Sequence, residues 1–320
     1  MDLIYTDANM KDLGTLLDFK MDLAFGIDEN NFELSVSNAN HVCESGSVVY
    51  IEGTEYGGIV EGIRVETAGK KIIYMGSTWH GLLESKIIEP DAGEDYLILS
   101  GDANVVLAYL IERLGLSALF SAKNELSGIE IKNYSMNRYI EGYSGIKKML
   151  ATVNGKLKMT YRDGKVILYA ESLVDYSQDD EFDSDQIDFV IEKKFKPINH
   201  MICLGKGELK DRTVIHLYTD EIGNISHSQS LFGMDERTST FDNSNAESEE
   251  ELEKGGIERL QAAWNEGKLQ LDLDATTSYD IGDIVGAKEL ATGTSMRKPI
   301  VKKIVTIEKN TVKITHKVGE

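Results

Sequence analysis

Histidine and cysteine recur in two pairs whose spacing is worth testing for metal chemistry: His41-Val-Cys43 and His200-Met-Ile-Cys203. Together they offer two thiolates and two imidazoles, the ligand count of a structural zinc centre. Residues three apart on a strand face opposite sides, so His200 and Cys203 converge only across a bend. Two buried cysteines on separate strands account for the same residues. DNSNAESEEELE (Asp242 to Glu253) has acids at both ends of a twelve-residue window but lacks the glycine that a calcium loop needs at its sixth position. GGIVEG (Gly57 to Gly62) and GKGELK (Gly205 to Lys210) match neither the dinucleotide fingerprint nor the Walker lysine pattern, and read as turns. No G-x-S-x-G elbow or H-E-x-x-H helix occurs. With 54 Asp and Glu, carboxylate pairs suited to glycoside hydrolysis are unavoidable, so their presence selects nothing. No catalytic residue, cofactor site or metal ligand is assigned.

The elements that would carry any site begin with strands. Met21, Leu23 and Phe25 alternate with polar or small neighbours, as do Phe32, Leu34 and Val36, the period of a half-buried strand. SVVYIEG, GIVEGIRVET and KIIYMGS continue the pattern with glycine breaks between them. Helical spacing follows in TWHGLLESK after Ser77, and over Asp102 to Leu114, where Asp102 suits an N-cap and Gly115 a C-cap. SGIKKMLATV predicts a third helix from Ser144, and Asp163-Gly164 a tight hairpin. QDDEFDSD (Gln178 to Asp185) reads as a solvated acidic loop, and Gly233 to Asn245 as polar loop. Ser248 with Glu251 forms a capping box for a helix to about Glu266, which Gly255-Gly256 could break. Alternation returns at Leu269, Leu271 and Leu273, then in YDIGDIV, RKPIVKKIVTIE and TVKITHKVG, with Lys309-Asn310 as a turn. The expected class is mainly β with α, an α+β arrangement of two small antiparallel barrel-like domains with interspersed α/β segments. The expected parts are residues 1–95 (N-terminal barrel), 96–195 (mixed α/β) and 196–320 (β-rich, with one helix and a closing barrel), with discontinuous domains allowed.

Composition bounds the function. The chain has 320 residues and a formal net charge of −20. Phosphate contacts need clustered Lys and Arg, so specific nucleic-acid binding is disfavoured. No apolar run approaches the length of a bilayer span, so no membrane partner is expected. The acidic N-terminus MDLIYTDANM does not resemble an export signal. Two cysteines are too few for a disulfide framework and fit synthesis in a reducing compartment. RKPIVKK (Arg297 to Lys303) is a local basic run, most simply a solvated strand face, with a contact to an acidic partner subunit as the alternative. Trp79 and Trp264 lie on expected helices beside apolar residues; core packing is the simpler account, and anchoring an oligomer interface the functional alternative.

From Gly76 to Pro90, GSTWHGLLESKIIEP resembles the tail-hub, or baseplate-hub, proteins of long-tailed phages, prophages and phage-tail-like bacteriocins. Gly76, Gly81, Leu82, Leu83, Ile87, Ile88 and Pro90 match that family's glycine, G-L-L-x-x-R helix and I-I-x-P tail. Lys86 stands where the family more often has Arg, and an ammonium does not reproduce a bidentate guanidinium contact. Gly101, Asp102, Ala103 and Asn104 match its G-D-A-N helix start. Asn199, Gly205 and Gly207 are similar to its N-x-x-x-x-x-G-x-G strand exit. Asp280-Ile-Gly282-Asp283-Ile-Val285 is similar to the Y-x-L-G-D-x-V opening of its closing barrel. The resemblance implies a non-enzymatic structural hub without a cofactor: a ring-shaped homotrimer joining tail tube or distal tail protein to spike or fibre. It also implies assembly in the host bacterial cytoplasm and residence in a virion tail or tail-like particle. An acidic conduit wall would repel DNA phosphates over about 8 Å at physiological salt.

Two other classes stay open. A tail-associated peptidoglycan hydrolase would usually carry its activity on an appended domain, and the sequence is not expected to hold one after its closing barrel. A receptor- or carbohydrate-binding baseplate component would need exposed aromatics on loops, for which Phe182, Phe232 and Phe241 are the candidates.

Overall fold

The computed structural model describes residues 2–37, 41–177, 182–185, 188–271, 278–309 and 311–319. The alternating segments become β1 (Leu3–Thr6), β2 (Asp12–Leu16), β3 (Lys20–Gly26), β4 (Asn31–Ser37), β5 (Val48–Tyr50), β6 (Gly57–Glu66) and β7 (Lys71–Thr78). In β4 the alternation is exact to the residue: Phe32, Leu34 and Val36 are buried while Glu33 and Ser37 face water. α1 (Trp79–Glu84), β8 (Ile87–Ile88), β9 (Leu97–Asp102) and α2 (Ala103–Arg113) follow. Thr78, one residue beyond Ser77, caps α1, its hydroxyl accepting from the Gly81 N–H. Next come β10 (Phe120–Ala122), β11 (Glu130–Met136), β12 (Ile140–Glu141) and α3 (Gly142–Ala151), which starts two residues before Ser144. β13 (Gly155–Arg162) and β14 (Lys165–Ser172) form the expected hairpin. Asp163 and Gly164 both take positive φ at its turn, 52° and 77°. β15 (Phe182–Asp183) pairs in parallel with a later strand, so part of the acidic run is sheet; 178–181 lie outside the described residues.

β16 (Phe189–Lys193), β17 (His200–Leu204), β18 (Val214–Thr219), β19 (Ile225–Ser226), β20 (Thr238–Asp242), α4 (Glu249–Trp264) and β21 (Gly267–Leu271) come next. β22 (Ile284–Lys288), β23 (Ser295–Glu308) and β24 (Thr311–Val318) end the order. Asp272, Leu273 and Asp274, like Asn310, lie outside the described residues. Among the described residues no helix is long and apolar enough to cross a membrane.

The chain divides into two compact units, Met1–Phe189 with Gln270–Gly319, and Val190–Leu269. The fold is mainly β with α, but its sheets are not closed barrels. In the first unit one 11-stranded sheet runs β15-β22-β23-β3-β4-β7-β6-β5-β1-β2, with β24 also on β23. Among the described residues its two end strands do not pair with each other, so it is open. β23 lies antiparallel to β3, Val305 opposite Leu23 and Ile307 opposite Met21. The β-rich ends of the chain therefore build one sheet rather than two barrels: alternation marks which face is apolar but not which strand lies alongside. One core gathers Met21, Leu23, Phe25, Leu34, Val305 and Ile307 over this sheet. A second packs α1, α2 and α3 with β13 and β14 through Trp79, Leu83, Leu107, Leu110, Met149 and Leu168.

The second unit is a four-stranded sheet, β19-β18-β17-β20, with α4 packed on β17 and β18. β20 lies within the stretch Gly233 to Asn245 whose polar composition reads as loop; its sequence TSTFD carries one apolar side chain, as an edge strand that buries only Phe241 requires. Ser248 caps α4, accepting from the Glu251 N–H at 3.2 Å. The helix runs unbroken through Gly255-Gly256. A Cβ at Gly256 would lie 2.3 Å from Cys203 Sγ and 2.8 Å from Leu217 Cδ1. The missing side chain lets α4 approach the sheet, and this contact outweighs the roughly 1 kcal/mol propensity cost.

Candidate functional site

The motif turn Asp280–Asp283 joins a set of buried charges within the first unit. Gly282, at φ +102°, closes the turn, in which the Asp283 N–H donates to the Asp280 carbonyl at 3.1 Å. The turn is pinned to β23 by the Gly282 N–H on the Ile300 carbonyl and the Ile300 N–H on the Asp283 carbonyl, at 2.9 and 2.8 Å. Asp283 is fully buried, and its carboxylate accepts the backbone N–H groups of Val174 and Asp280 at 2.8 and 2.9 Å. It also accepts Lys156 Nζ at 2.8 and 2.9 Å. Asp280 accepts Lys158 Nζ at 2.5 Å and Lys303 Nζ at 3.1 Å, and Lys303 pairs further with Glu55.

Three lysines thus meet three carboxylates drawn from a loop near residue 55, β13, the motif turn and β23. Burial alone would raise the Asp280 carboxyl, but Lys303, Lys158 and Lys156 outweigh it and hold it well below the usual carboxylate range. Lys303 is shifted upward: burial opposes its charge, and Glu55 and Asp280 more than compensate. RKPIVKK is therefore not a solvated face: Lys298, Lys302 and Lys303 are all under 9% exposed. Charged side chains are rarely buried unless paired, and the partners here are far off in sequence. Lys302 pairs with Glu29 at 2.5 Å. The alternation Lys156-Leu157-Lys158 placed two cations on one strand face, and was the signal available for this cluster.

Beside the turn lies a cavity of about 610 Å³ whose lining includes His80, Tyr143, Lys147, Lys156, Lys158, Asp280 and Lys303. His80 packs on Phe25 with ring centroids 4.8 Å apart and meets Tyr143 edge-on at 5.1 Å. Burial lowers its pKa to about 4, so the ring is neutral at pH 7.

The other motif residues serve as separate local staples. Asp102 caps α2 at the Asn104 N–H and also accepts the Ser127 and Gly128 N–H groups at 3.1 and 2.9 Å. Asn104 donates to the Glu125 carbonyl at 2.7 Å and accepts the Ala170 N–H at 2.8 Å, tying the same loop to β14. Gly76 and Gly81 lie against the Ile59 and Asn30 carbonyls, 1.8 and 2.2 Å from where a Cβ would stand. Leu83 is fully buried, Leu82 and Pro90 partly, and Lys86 is exposed. In the second unit Asn199 donates to the Asp235 carbonyl and accepts the Arg237 N–H, holding the start of β20. Gly205 and Gly207 form the exit from β17, Gly207 at φ +105°.

Trp79 is fully buried and stacked on Tyr161 with centroids 5.5 Å apart; Trp264 is half-buried over Gly223. His41 bonds Tyr74 at 2.8 Å and His200 bonds Glu236 at 2.6 Å and His216 at 2.8 Å. Cys43 and Cys203 are buried in the cores of different units. Among the described residues no three His, Cys, Asp or Glu are placed to hold a metal. Of the three phenylalanines, Phe232 is 64% exposed, Phe182 partly buried and Phe241 buried in the second core.

No family model and no curated relative matches the chain. Solved structures do. A tail protein from Neisseria meningitidis aligns at a TM-score of 0.53 with 12% identity, over 100% of this chain and 96% of its own. A tail protein of prophage MuSo2 from Shewanella oneidensis aligns at 0.55 with 10% identity, over 100% and 98%. Prophage tail protein gp18 from Listeria monocytogenes aligns at 0.54 with 12% identity, over 100% and 95%. The order of strands and helices is thus a fold this chain shares with these tail proteins, two of them of prophages.

Proposed function

We propose that the chain is a structural component of a phage or phage-like tail, and within it the hub subunit: a homotrimeric ring between the tube and the spike or fibre. The observation that carries this reading is the completeness of the likeness. Three tail proteins are matched over 95–98% of their own length and all of this chain, so what is shared is a whole architecture rather than one common module. A ring built from head-to-tail contacts closes at a fixed copy number. The net charge of −20 suits a conduit that must pass DNA without holding it.

Light scattering on a column tests the assembly. With a subunit of 35.6 kDa, a trimer has three times that mass, about 107 kDa. Co-expression with the tube or spike protein encoded beside it, followed by electron microscopy, is expected to show a threefold ring. A monomer under both conditions would refute the hub reading.

A further inference from the structure

The cavity beside the motif turn has a volume within the range of small-ligand pockets. Aliphatic side chains form much of its wall, among them Ile27, Leu157, Ile281, Ile284 and Val301. Its charge is the reverse of the chain's: five lysines and Arg297 line it against Glu55 and Asp280, in a protein of net charge −20. Asp283 and Asp175 neutralise Lys156 and Arg297 from behind the wall.

Two polar groups on this wall are not used by the ion network. His80 is 4% exposed, and among the described residues its buried Nδ1 has no hydrogen-bond partner. A buried polar atom left unsatisfied costs about 1–3 kcal/mol. Lys147 projects from α3 with Nζ 4.5 Å from the centre of the Tyr143 ring. Among the described residues it has no ion-pair partner; Glu84 acts on it only at longer range. Both groups border the same Tyr143 ring, and both residues line the cavity.

We propose that this cavity binds a carboxylate carried on an apolar body, its head between His80 and Lys147 and its body along the aliphatic wall. A neutral imidazole donates one N–H to such a head, and the lysine supplies the charge. One uncommitted ammonium matches a monoanion, and aliphatic walls disfavour a compact, strongly hydrated dianion such as phosphate. The carboxylate could be that of a free amphiphile or of an acidic side chain flanked by apolar residues in a peptide. The pocket lies within one unit of one chain, so filling it does not require the ring to form.

Isothermal titration of the full chain separates these outcomes. The probes are octanoate and the peptide acetyl-Leu-Glu-Leu-amide, each against its neutral counterpart, octanamide and acetyl-Leu-Gln-Leu-amide, with inorganic phosphate as control. At least one acid is expected to bind, with its amide weaker by about tenfold or more, as losing a charge-assisted hydrogen bond implies. The acid that binds tighter identifies the source. Lys147→Gln is expected to lose about tenfold and Lys147→Arg to retain most of the affinity. No binding of either acid at about 5 mM would overturn the proposal. So would equal binding of acid and amide, preference for phosphate, or an unchanged Lys147→Gln. The acid–amide comparison uses the unmodified protein, so it decides the matter even if a variant fails to fold.

Discussion

Asp283→Asn is expected to destabilise the first unit severely, and the geometry sets the size. The carboxylate is 0% exposed and accepts four contacts: two from Lys156 Nζ and one each from the Val174 and Asp280 N–H groups. Each oxygen takes one lysine contact and one backbone N–H. Whichever oxygen becomes the amide nitrogen therefore places a donor against two donors, while Lys156, itself 7% exposed, loses its nearer charge partner and keeps only Asp280 at 3.5 Å. Removing one member of a buried pair costs about 3–5 kcal/mol. For a unit of this size each kcal/mol moves the midpoint by about 2–4 °C, so thermal unfolding is expected to fall by roughly 6–20 °C. Adding Lys156→Met to the variant removes the cation left with that one longer contact and is expected to recover about half of the loss or more, since the penalty lies mainly in the undercompensated charge. Calorimetry on the parent, both single variants and the double variant closes the cycle. A loss below about 1 kcal/mol for Asp283→Asn, or additivity in the cycle, would show that the carboxylate is not paired as described.

The same site predicts acid sensitivity in two windows. An unfolded histidine protonates near pH 6.5 whereas buried His80 does so near 4, so the unfolded state binds more protons between those values and stability drops by about 3 kcal/mol as pH falls across them. Denaturant titrations at stepped pH should show the slope, and His80→Phe should remove it; an unchanged slope would locate it elsewhere. Asp280 acts lower. Its folded pKa is depressed, so its contribution is whole above the unfolded value near 4 and is lost as pH falls toward the folded one. In the second unit Gly256→Ala sets a propensity gain of about 1 kcal/mol against a Cβ 2.3 Å from Cys203 Sγ. Overpacking costs about 1–3 kcal/mol, so a net loss is expected, part of which Cys203→Ala should restore. A Gly256→Ala chain as stable as the parent would mean that α4 does not rest on that glycine.

Local signals in this sequence were legible because their causes are local. Asp102 and Gly115 bracket α2, Ser248 opens α4, and Asp163-Gly164 turns a hairpin, each through bonds or dihedrals within a few residues. The pairing of β23 with β3 was not legible, since their partners lie about 280 residues apart and alternation is the same whichever strand lies alongside. Whether the glycine pair breaks α4 is not legible in the sequence, for a related reason. Its conformational cost is a property of the helix, while the gain depends on Cys203 and Leu217 in strands that pattern alone does not place beneath it.

The buried lysines carry the point furthest. RKPIVKK read as a solvated face because an isolated ammonium is expensive to bury. The expense vanishes only when carboxylates from several segments converge, and Glu29, Glu55 and Asp280, which meet Lys302 and Lys303, come from three other places in the chain. The motif turn then has a physical explanation that does not depend on its ancestry. Asp283 caps its own turn through the Asp280 N–H and receives Lys156 from the β13 hairpin, while Asp280 receives Lys303 from the strand that joins β3. Two carboxylates three residues apart thus connect the helical part of the first unit to its large sheet, and loss of either should loosen that connection while leaving each sheet's own ladder intact. Hydrogen exchange on Asp283→Asn would read this directly: the Val174 and Asp280 amides should lose more protection than those of β4 and β7, whose loss should not exceed that of the unit's overall stability. Uniform loss of protection would mean that the turn supports the unit as a whole rather than one seam within it.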